Sequence, residues 1–332
     1  MDPMQFTQVV SRLRVLETRL LDKAKIDRMI DSDSANDAFK VLQETEYINV
    51  MTDIKSVKDY EKMLSAELKR VYKESYDMSP SKPLVDIMSI KYDYHNAKVI
   101  LKGIFLKKDF SNMLIWIGRV DIDKLRFNIE NNHSELSKIM RKAVEEVEED
   151  FKEKKDPQRI DILLDRYMFV EMMDIAKSLE DKFTIKYVKA LIDLTNIKSL
   201  LRIKKQNKGK EFLLSAIIDG GEVDKDALVS LLTDASENIS SKLSHTNYEG
   251  VLKLGVEDFI KTDSVSLLEK LVDNYIMDLM KEAKFIPFGG ESLIAYIYAK
   301  ETEIKVIRII MASKLNNITS KVIRERLRDI YV

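Results

Sequence analysis

The chain of 332 residues is 45% hydrophobic and carries 55 basic against 56 acidic residues, a balance that argues against a dedicated nucleic-acid binder with its positive excess. Zero cysteines exclude disulfides, thiol catalysis and cysteine metal sites, and fit a reducing cytoplasm. Only 9 Gly and 5 Pro interrupt a composition rich in Lys, Glu, Leu, Ile and Met, which predicts long helices rather than strands, over a length that suggests about two domains of roughly 150 residues.

At the start of the chain, Asp2 and the lack of a long apolar region do not read as a signal peptide. No later stretch approaches the roughly 20 apolar residues of a membrane helix. The longest candidates, 285–290 and 292–299, are separated by Glu291. The expectation is a soluble all-α chain that meets any membrane through a partner.

Taken in chain order, the segments repeat. Leu68-Lys-Arg-Val-Tyr72 is followed by Asp93-Tyr-His-Asn96-Ala-Lys98-Val-Ile-Leu-Lys102, then by Gly118-Arg-Val-Asp121-Ile-Asp-Lys-Leu125. The same order returns as Leu164-Asp-Arg-Tyr167, Asp193-Leu-Thr-Asn196-Ile-Lys198-Ser-Leu-Leu-Arg202 and Gly221-Glu-Val-Asp224-Lys-Asp-Ala-Leu228. A third set is Val272-Asp-Asn-Tyr275, Ala299-Lys-Glu-Thr-Glu303-Ile-Lys305-Val-Ile-Arg308 and Asn316-Asn-Ile-Thr319-Ser-Lys-Val-Ile323. Three kinds of match in one order, at nearly one spacing, indicate a threefold duplication of a helical unit within a single chain. Its signatures centre near 92–125, 187–228 and 296–327. The third copy is weaker, with Lys300 in place of Asp and Glu303 in place of Asn. The Gly or Asn before an Asp or Thr reads as a helix stop, a turn and the N-cap of the next helix.

Helical periodicity in the second copy places Asp193, Asn196 and Leu200 on one line, with Lys198, Arg202 and Lys205 roughly opposite. Leu194, Ile197 and Leu201 form one apolar flank; Val188, Ile192 and Ile203 form the other. A helix with two buried sides and two polar stripes suits a wall of helices, with one polar face outward and one toward an interior opening. Asp93, Asn96, Asp193, Asn196 and Glu303 are therefore the candidate contacts with a partner entering that opening. The alternative is that these Asp and Asn groups hydrogen-bond within the wall and hold it together.

Catalytic signatures are missing from the sequence: no P-loop, no Gly-x-Gly-x-x-Gly, no His-Glu-x-x-His and no Gly-x-Ser-x-Gly. The only histidines, His95, His133 and His245, are far apart, and His95 is expected in a packed or hydrogen-bonded role. No cofactor or metal is expected. The charged run 145–155 reads as a solvated helix face ending at the Asp156-Pro157 helix start, and 204–210 as a basic helix end. Trp116 is expected in core or inter-helix packing, with a tip in contact with a partner as the alternative, and for the apolar segment 285–290 burial is preferred to partner contact.

Asp156-Pro-Gln-Arg-Ile-Asp-Ile-Leu-Leu-Asp-Arg-Tyr167, the segment 191–202 and Leu293-Ile-Ala-Tyr-Ile-Tyr-Ala-Lys-Glu-Thr-Glu-Ile-Lys305 resemble the C subunit of V-type (archaeal-type) ATPases, the counterpart of the eukaryotic d subunit. The likeness extends from 12–21 and 92–98 through 307–310 and 314–316 to 323–328, nearly the whole chain. The resemblance implies three similar helical subdomains in pseudo-threefold array around a central funnel. It also implies a non-catalytic rotor protein at the cytoplasmic face of the membrane, coupling the axle subunits to the membrane rotor ring for ATP-driven ion transport or ATP synthesis. A helical protein-binding scaffold outside any rotary motor and an enzyme with a polar site in a helical cavity are the rival readings.

Overall fold

The computed structural model describes residues 2–131 and 133–332, and among these it has α-helices, short 3-10 turns and no strand. The helices are α1 (Thr7–Glu17), α2 (Lys23–Asp31), α3 (Ala35–Gln43), α4 (Tyr60–Met78), α5 (Lys82–Leu106), α6 (Ile122–Glu130), α7 (Lys138–Lys154) and α8 (Pro157–Ser178). They continue as α9 (Lys182–Lys205), α10 (Lys210–Ala216), α11 (Lys225–Thr233), α12 (Asn238–Lys242), α13 (Glu249–Thr262), α14 (Ser266–Glu282), α15 (Glu291–Leu315) and α16 (Ser320–Arg326). Two compact units result: one comprises Asp86–Val272, and the other joins Asp2–Val85 to Asp273–Val332. The all-helical expectation holds.

The three long helices α5, α9 and α15 have nearly equal lengths of 25, 24 and 25 residues. They also stop in the same way. Lys107, Asn207 and Asn317 turn left-handed at φ of 51°, 53° and 55°. The next N–H reaches back to the carbonyl of Gly103, Ile203 or Ser313, at 3.2, 3.1 and 2.9 Å. This closes the orphan carbonyls of each last turn. The stop therefore precedes Gly118 by a loop and Gly221 by the short helix α10, and a carboxylate approaches both glycines closely.

Several helix starts carry Asp caps. Asp22, Asp121 and Asp224 each accept from backbone N–H groups of the first turn of α2, α6 and α11, and all three helices are nine residues long. Thr319 makes no such side-chain bond, so the expected third cap at 316–323 is absent. Asp156 does cap α8 as read from Asp156-Pro157, accepting from Gln158 N at 2.9 Å. Asp156→Ala should cost about 1 kcal/mol, measurable as a lower urea midpoint with an unchanged slope.

In α15, 16 of 25 residues are buried, including Lys300 and Glu303. Ile304, Val306, Ile307, Ile310 and Met311 pack with Leu21, Ile26, Ile30, Leu42, Tyr47 and Leu64 in one apolar core. A helix covered on nearly every side has no single apolar face. Within the other unit α9 behaves alike: both flanks read from the sequence, from Val188 through Ile203, are at most 4% exposed.

The basic stripe faces a neighbouring helix's acids. Lys98 and Lys102 of α5 pair with Asp165 and Asp161 of α8, at 2.5 and 2.7 Å. Arg202 of α9 pairs with Glu269 of α14, and Arg308 of α15 with Glu61 of α4 at 2.8 Å.

Candidate functional site

The five candidate residues lie on the three long helices and are 0–3% exposed. Their polar atoms meet the chain's own backbone and side chains. On α5, Asp93 Oδ1 accepts from the N–H of Arg119 and of Val120, at 3.0 and 3.3 Å, and Oδ2 accepts from Arg119 Nε at 2.7 Å. Burial pushes the Asp93 carboxyl up, while Arg119 and the two N–H groups pull it back. Arg119 also lies 3.0 Å from Glu171 of α8, which in turn accepts from Tyr94 at 2.7 Å.

On α9 the arrangement recurs with a different third donor. Asp193 accepts from Glu222 N and Val223 N at 2.9–3.0 Å, and Tyr248 OH takes the place of the arginine at 2.9 Å. The approach is tight enough to require glycine. A Cβ on Gly118 would stand 2.4 Å from Asp93 Oδ1, and one on Gly221 would stand 2.0 Å from Asp193 Oδ1.

Asn96 and Asn196 make a second tie. Each amide spans one residue of the following loop, accepting its N–H and donating to its carbonyl: Ile115 at 2.9 Å both ways, Ile218 at 2.9 and 2.8 Å. His95 adds a contact at 2.8 Å to Met113 O, a hydrogen-bonded role as read from the sequence.

The third helix corrects the alignment of the repeats. Glu303 Oε2 accepts from Leu21 N at 2.5 Å, and Oε1 accepts from Tyr47 OH at 2.9 Å. Leu21 immediately precedes the cap Asp22, as Val120 precedes Asp121 and Val223 precedes Asp224. By its contacts Glu303 is thus the counterpart of Asp93 and Asp193, not of Asn96 and Asn196. The loop it holds comes from the other end of the chain rather than from 316–323.

A sequence signal for this lies outside the three repeated segments. Leu42-Gln-Glu-Thr45-Glu-Tyr47 matches Leu243-Ser-His-Thr246-Asn-Tyr248. In both, the threonine hydroxyl donates to the leucine carbonyl, at 2.6 and 2.7 Å, and accepts from the tyrosine N–H at 3.3 Å. This small turn aims each tyrosine at its carboxylate.

Around Glu303 the third helix adds charge. Lys300 Nζ sits 2.8 Å from Glu303 and 3.0 Å from Glu67, with 1% of its side chain exposed, and lies 4.9 Å from the centre of the Tyr47 ring. Arg70 holds Glu67 with two further bonds at 2.8 and 2.9 Å. Burial pushes the Lys300 ammonium down, but the two carboxylates outweigh it and hold it above the usual lysine range. Burial pushes the Glu67 carboxyl up; Arg70 and Lys300 outweigh that and leave it below its ordinary value.

Among the described residues, no group of three or more His, Asp or Glu could hold a metal ion, and no helix is long and apolar enough to cross a membrane. Two expectations fail at the surface. Trp116 is 58% exposed rather than packed, and Phe285 and Phe288 are 87% and 45% exposed rather than buried.

The family model described as ATP synthase (C/AC39) subunit matches residues 9–326. The chain belongs to the C/AC39 family of V-type and A-type ATPase subunits. Its relatives include the C subunit of the V-type sodium ATPase of Enterococcus hirae, 28% identical over 99% of both chains. The C subunit of the A-type ATP synthase of Methanocaldococcus jannaschii is 26% identical, covering 97% of this chain and 86% of its own length. That of Thermococcus onnurineus is 23% identical over 96% and 89%. In this member of the C/AC39 family, the five buried groups act chemically as hydrogen-bond hubs for backbone loops.

Proposed function

We propose that the chain is a non-catalytic central-stalk rotor subunit of a V-type or A-type ATPase, coupling the axle subunits to the membrane rotor ring from the cytoplasmic side. The near full-length match to C/AC39 relatives carries this reading. Three subdomains in pseudo-threefold array around a central funnel are part of the same proposal. Supporting them are the three carboxylates that receive the residue before an Asp cap, the three identical helix stops, and the ion pairs α5 to α8, α9 to α14 and α15 to α4. Asp93, Asn96, Asp193, Asn196 and Glu303 then hold the wall, because side chains at most 3% exposed offer an axle almost no surface. Axle contacts fall to other, exposed residues.

Affinity purification of the tagged chain from its native membrane tests this. The expected result is recovery of axle subunits and membrane ring together, with the isolated chain binding no ATP by calorimetry. Recovery of unrelated soluble proteins without either partner would favour the free-standing scaffold instead.

A further inference from the structure

The carboxylate of each long helix holds the residue before a nine-residue, Asp-capped helix, which pairs α5 with α6, α9 with α11 and α15 with α2. In two of these pairs a lysine also ties the far ends together. Lys204, three residues before the left-handed stop of α9, donates from Nζ to the carbonyls of Leu231, Leu232 and Asp234 at 3.0, 2.9 and 2.6 Å. Lys314, three residues before the stop of α15, donates to Ser32 O at 2.7 Å. Asp234 and Ser32 are equivalent, each ten residues after its cap, Asp224 or Asp22. An ammonium there satisfies orphan carbonyls and suits the negative end of the short helix. Because it projects from the last turn of the long helix, it is also a strut between the two.

The first pair lacks this lysine. Ile104 stands three residues before the stop of α5, 41% exposed, and a hydrocarbon donates nothing to Asn131, ten residues after Asp121. The residue before it is Gly103, where α9 has Ile203 and α15 has Ser313, and glycine makes a last helical turn less stiff. The end of α6 is satisfied locally instead. Asn131 N and Nδ2 donate to Phe127 O at 3.1 and 2.6 Å, and His133 Nε2 lies 3.0 Å from Ile129 O. Arg141 of α7 then grips His133 O and Ser134 O at 3.1 and 2.8 Å. These bonds cap α6 and fasten its end to α7; they do not hold it against α5.

We propose that the first pair is a compliant joint, in which α6 pivots at its pinned start and its far end shifts against α5, while Lys204 and Lys314 lock α11 and α2 to their long helices. The pivot is set by Asp93, which holds Val120 N just ahead of the cap Asp121. The apolar face of α6, with Ile122, Leu125 and Ile129, stays buried. Apolar burial is non-directional, so it permits a small slide that a strut forbids. Shifts of one packed helix along another fall on the microsecond-to-millisecond scale. The joint belongs to the chain itself and does not depend on the rotor reading.

Methyl relaxation dispersion on the full chain, labelled at Ile and Leu, tests this. Ile129, Leu232 and Ile30 report on the three short helices, each eight residues after its Asp cap. Exchange broadening is expected at Ile129, with flat profiles at Leu232 and Ile30. Ile104→Lys, at an exposed position, should supply the missing strut and cut the population of the shifted state about tenfold, the effect of one hydrogen bond to a charged group. Lys204→Met should bring exchange to Leu232 and leave Ile129 as in the wild type. A flat profile at Ile129, or equal exchange at all three methyls, overturns the joint. So does exchange at Ile129 that Ile104→Lys leaves unchanged, or a Leu232 that stays flat in Lys204→Met, since the lysine is then not what locks the pair.

Discussion

Replacing Lys300 with Met is expected to destabilise the chain by about 3–5 kcal/mol, the cost of breaking a buried ion pair by removing one partner. Lys300 contacts Glu67 and Glu303 at 3.0 and 2.8 Å, with Glu67 at 0% and Glu303 at 3% exposure. Without the ammonium, two carboxylates face one another with Arg70 left to compensate Glu67. Lys300→Met combined with Glu67→Gln and Glu303→Gln should recover much of the loss, because no uncompensated charge then remains buried.

The pH dependence separates this cause from lost packing. The raised Lys300 value contributes stability that is complete below the unfolded lysine value of about 10.4 and is lost as pH rises through the folded value. The lowered Glu67 value contributes stability that is complete above the unfolded glutamate value of about 4.3 and is lost as pH falls through the folded one. Both contributions are in place between about pH 5 and 9, so neither should vary with pH there. In Lys300→Met the deficit should shrink toward acid, since protonating a buried carboxylate removes the unpaired charge. Urea midpoints at several pH values read this directly. A deficit that does not change with pH would assign the effect to packing.

Periodicity is enough to find the long helices and their apolar flanks, because burial on two sides leaves a pattern in side-chain type. It is not enough to say what covers the acidic line. Loops 115–120 and 218–223 are held there through backbone N–H and C=O groups, and a backbone group leaves no mark on residue identity. The closest marks are Gly118 and Gly221: a carboxylate lies against both, and Gly118 also turns at a φ of 148°.

The third copy misleads for a related reason. Lys300 and Glu303 reproduce the i, i+3 spacing of Asp93 with Asn96, which invites a pairwise alignment three residues out of register. Contacts show the carboxylate conserved in role and the amide tie missing, with Val306 buried three residues on from Glu303. Sequence order also hides the partner: Leu21 and Glu303 are 282 residues apart, against 27 for Val120 with Asp93 and 30 for Val223 with Asp193. Exposure of Trp116 and Phe285 is equally invisible, since an aromatic residue in a loop reads alike whether it anchors a core or a partner.

The second large effect is expected at the α9 carboxylate. Asp193→Ala removes an acceptor from Glu222 N, Val223 N and Tyr248 OH, and a buried donor that loses its acceptor costs about 1–3 kcal/mol. With Glu222 and Val223 partly accessible to water, a total of about 2–4 kcal/mol is the reasonable sum. Gly221→Ala should cost a similar amount by another route, because its Cβ would stand 2.0 Å from Asp193 Oδ1 and 2.8 Å from Cγ. These two losses share one cause, the seat of the loop on the carboxylate, so they should not add. The double variant should be little worse than either single one, with a coupling energy of at least about 1 kcal/mol from thermal or urea unfolding. Additive losses would mean that the glycine and the carboxylate act separately. Under the proposed rotor role, axle binding by Asp193→Ala, measured well below its melting temperature, should match wild type, and its salt dependence should be unchanged, since an interfacial charge would alter both. A folded variant with wild-type stability and weakened, less salt-sensitive axle binding would return Asp193 to the partner surface.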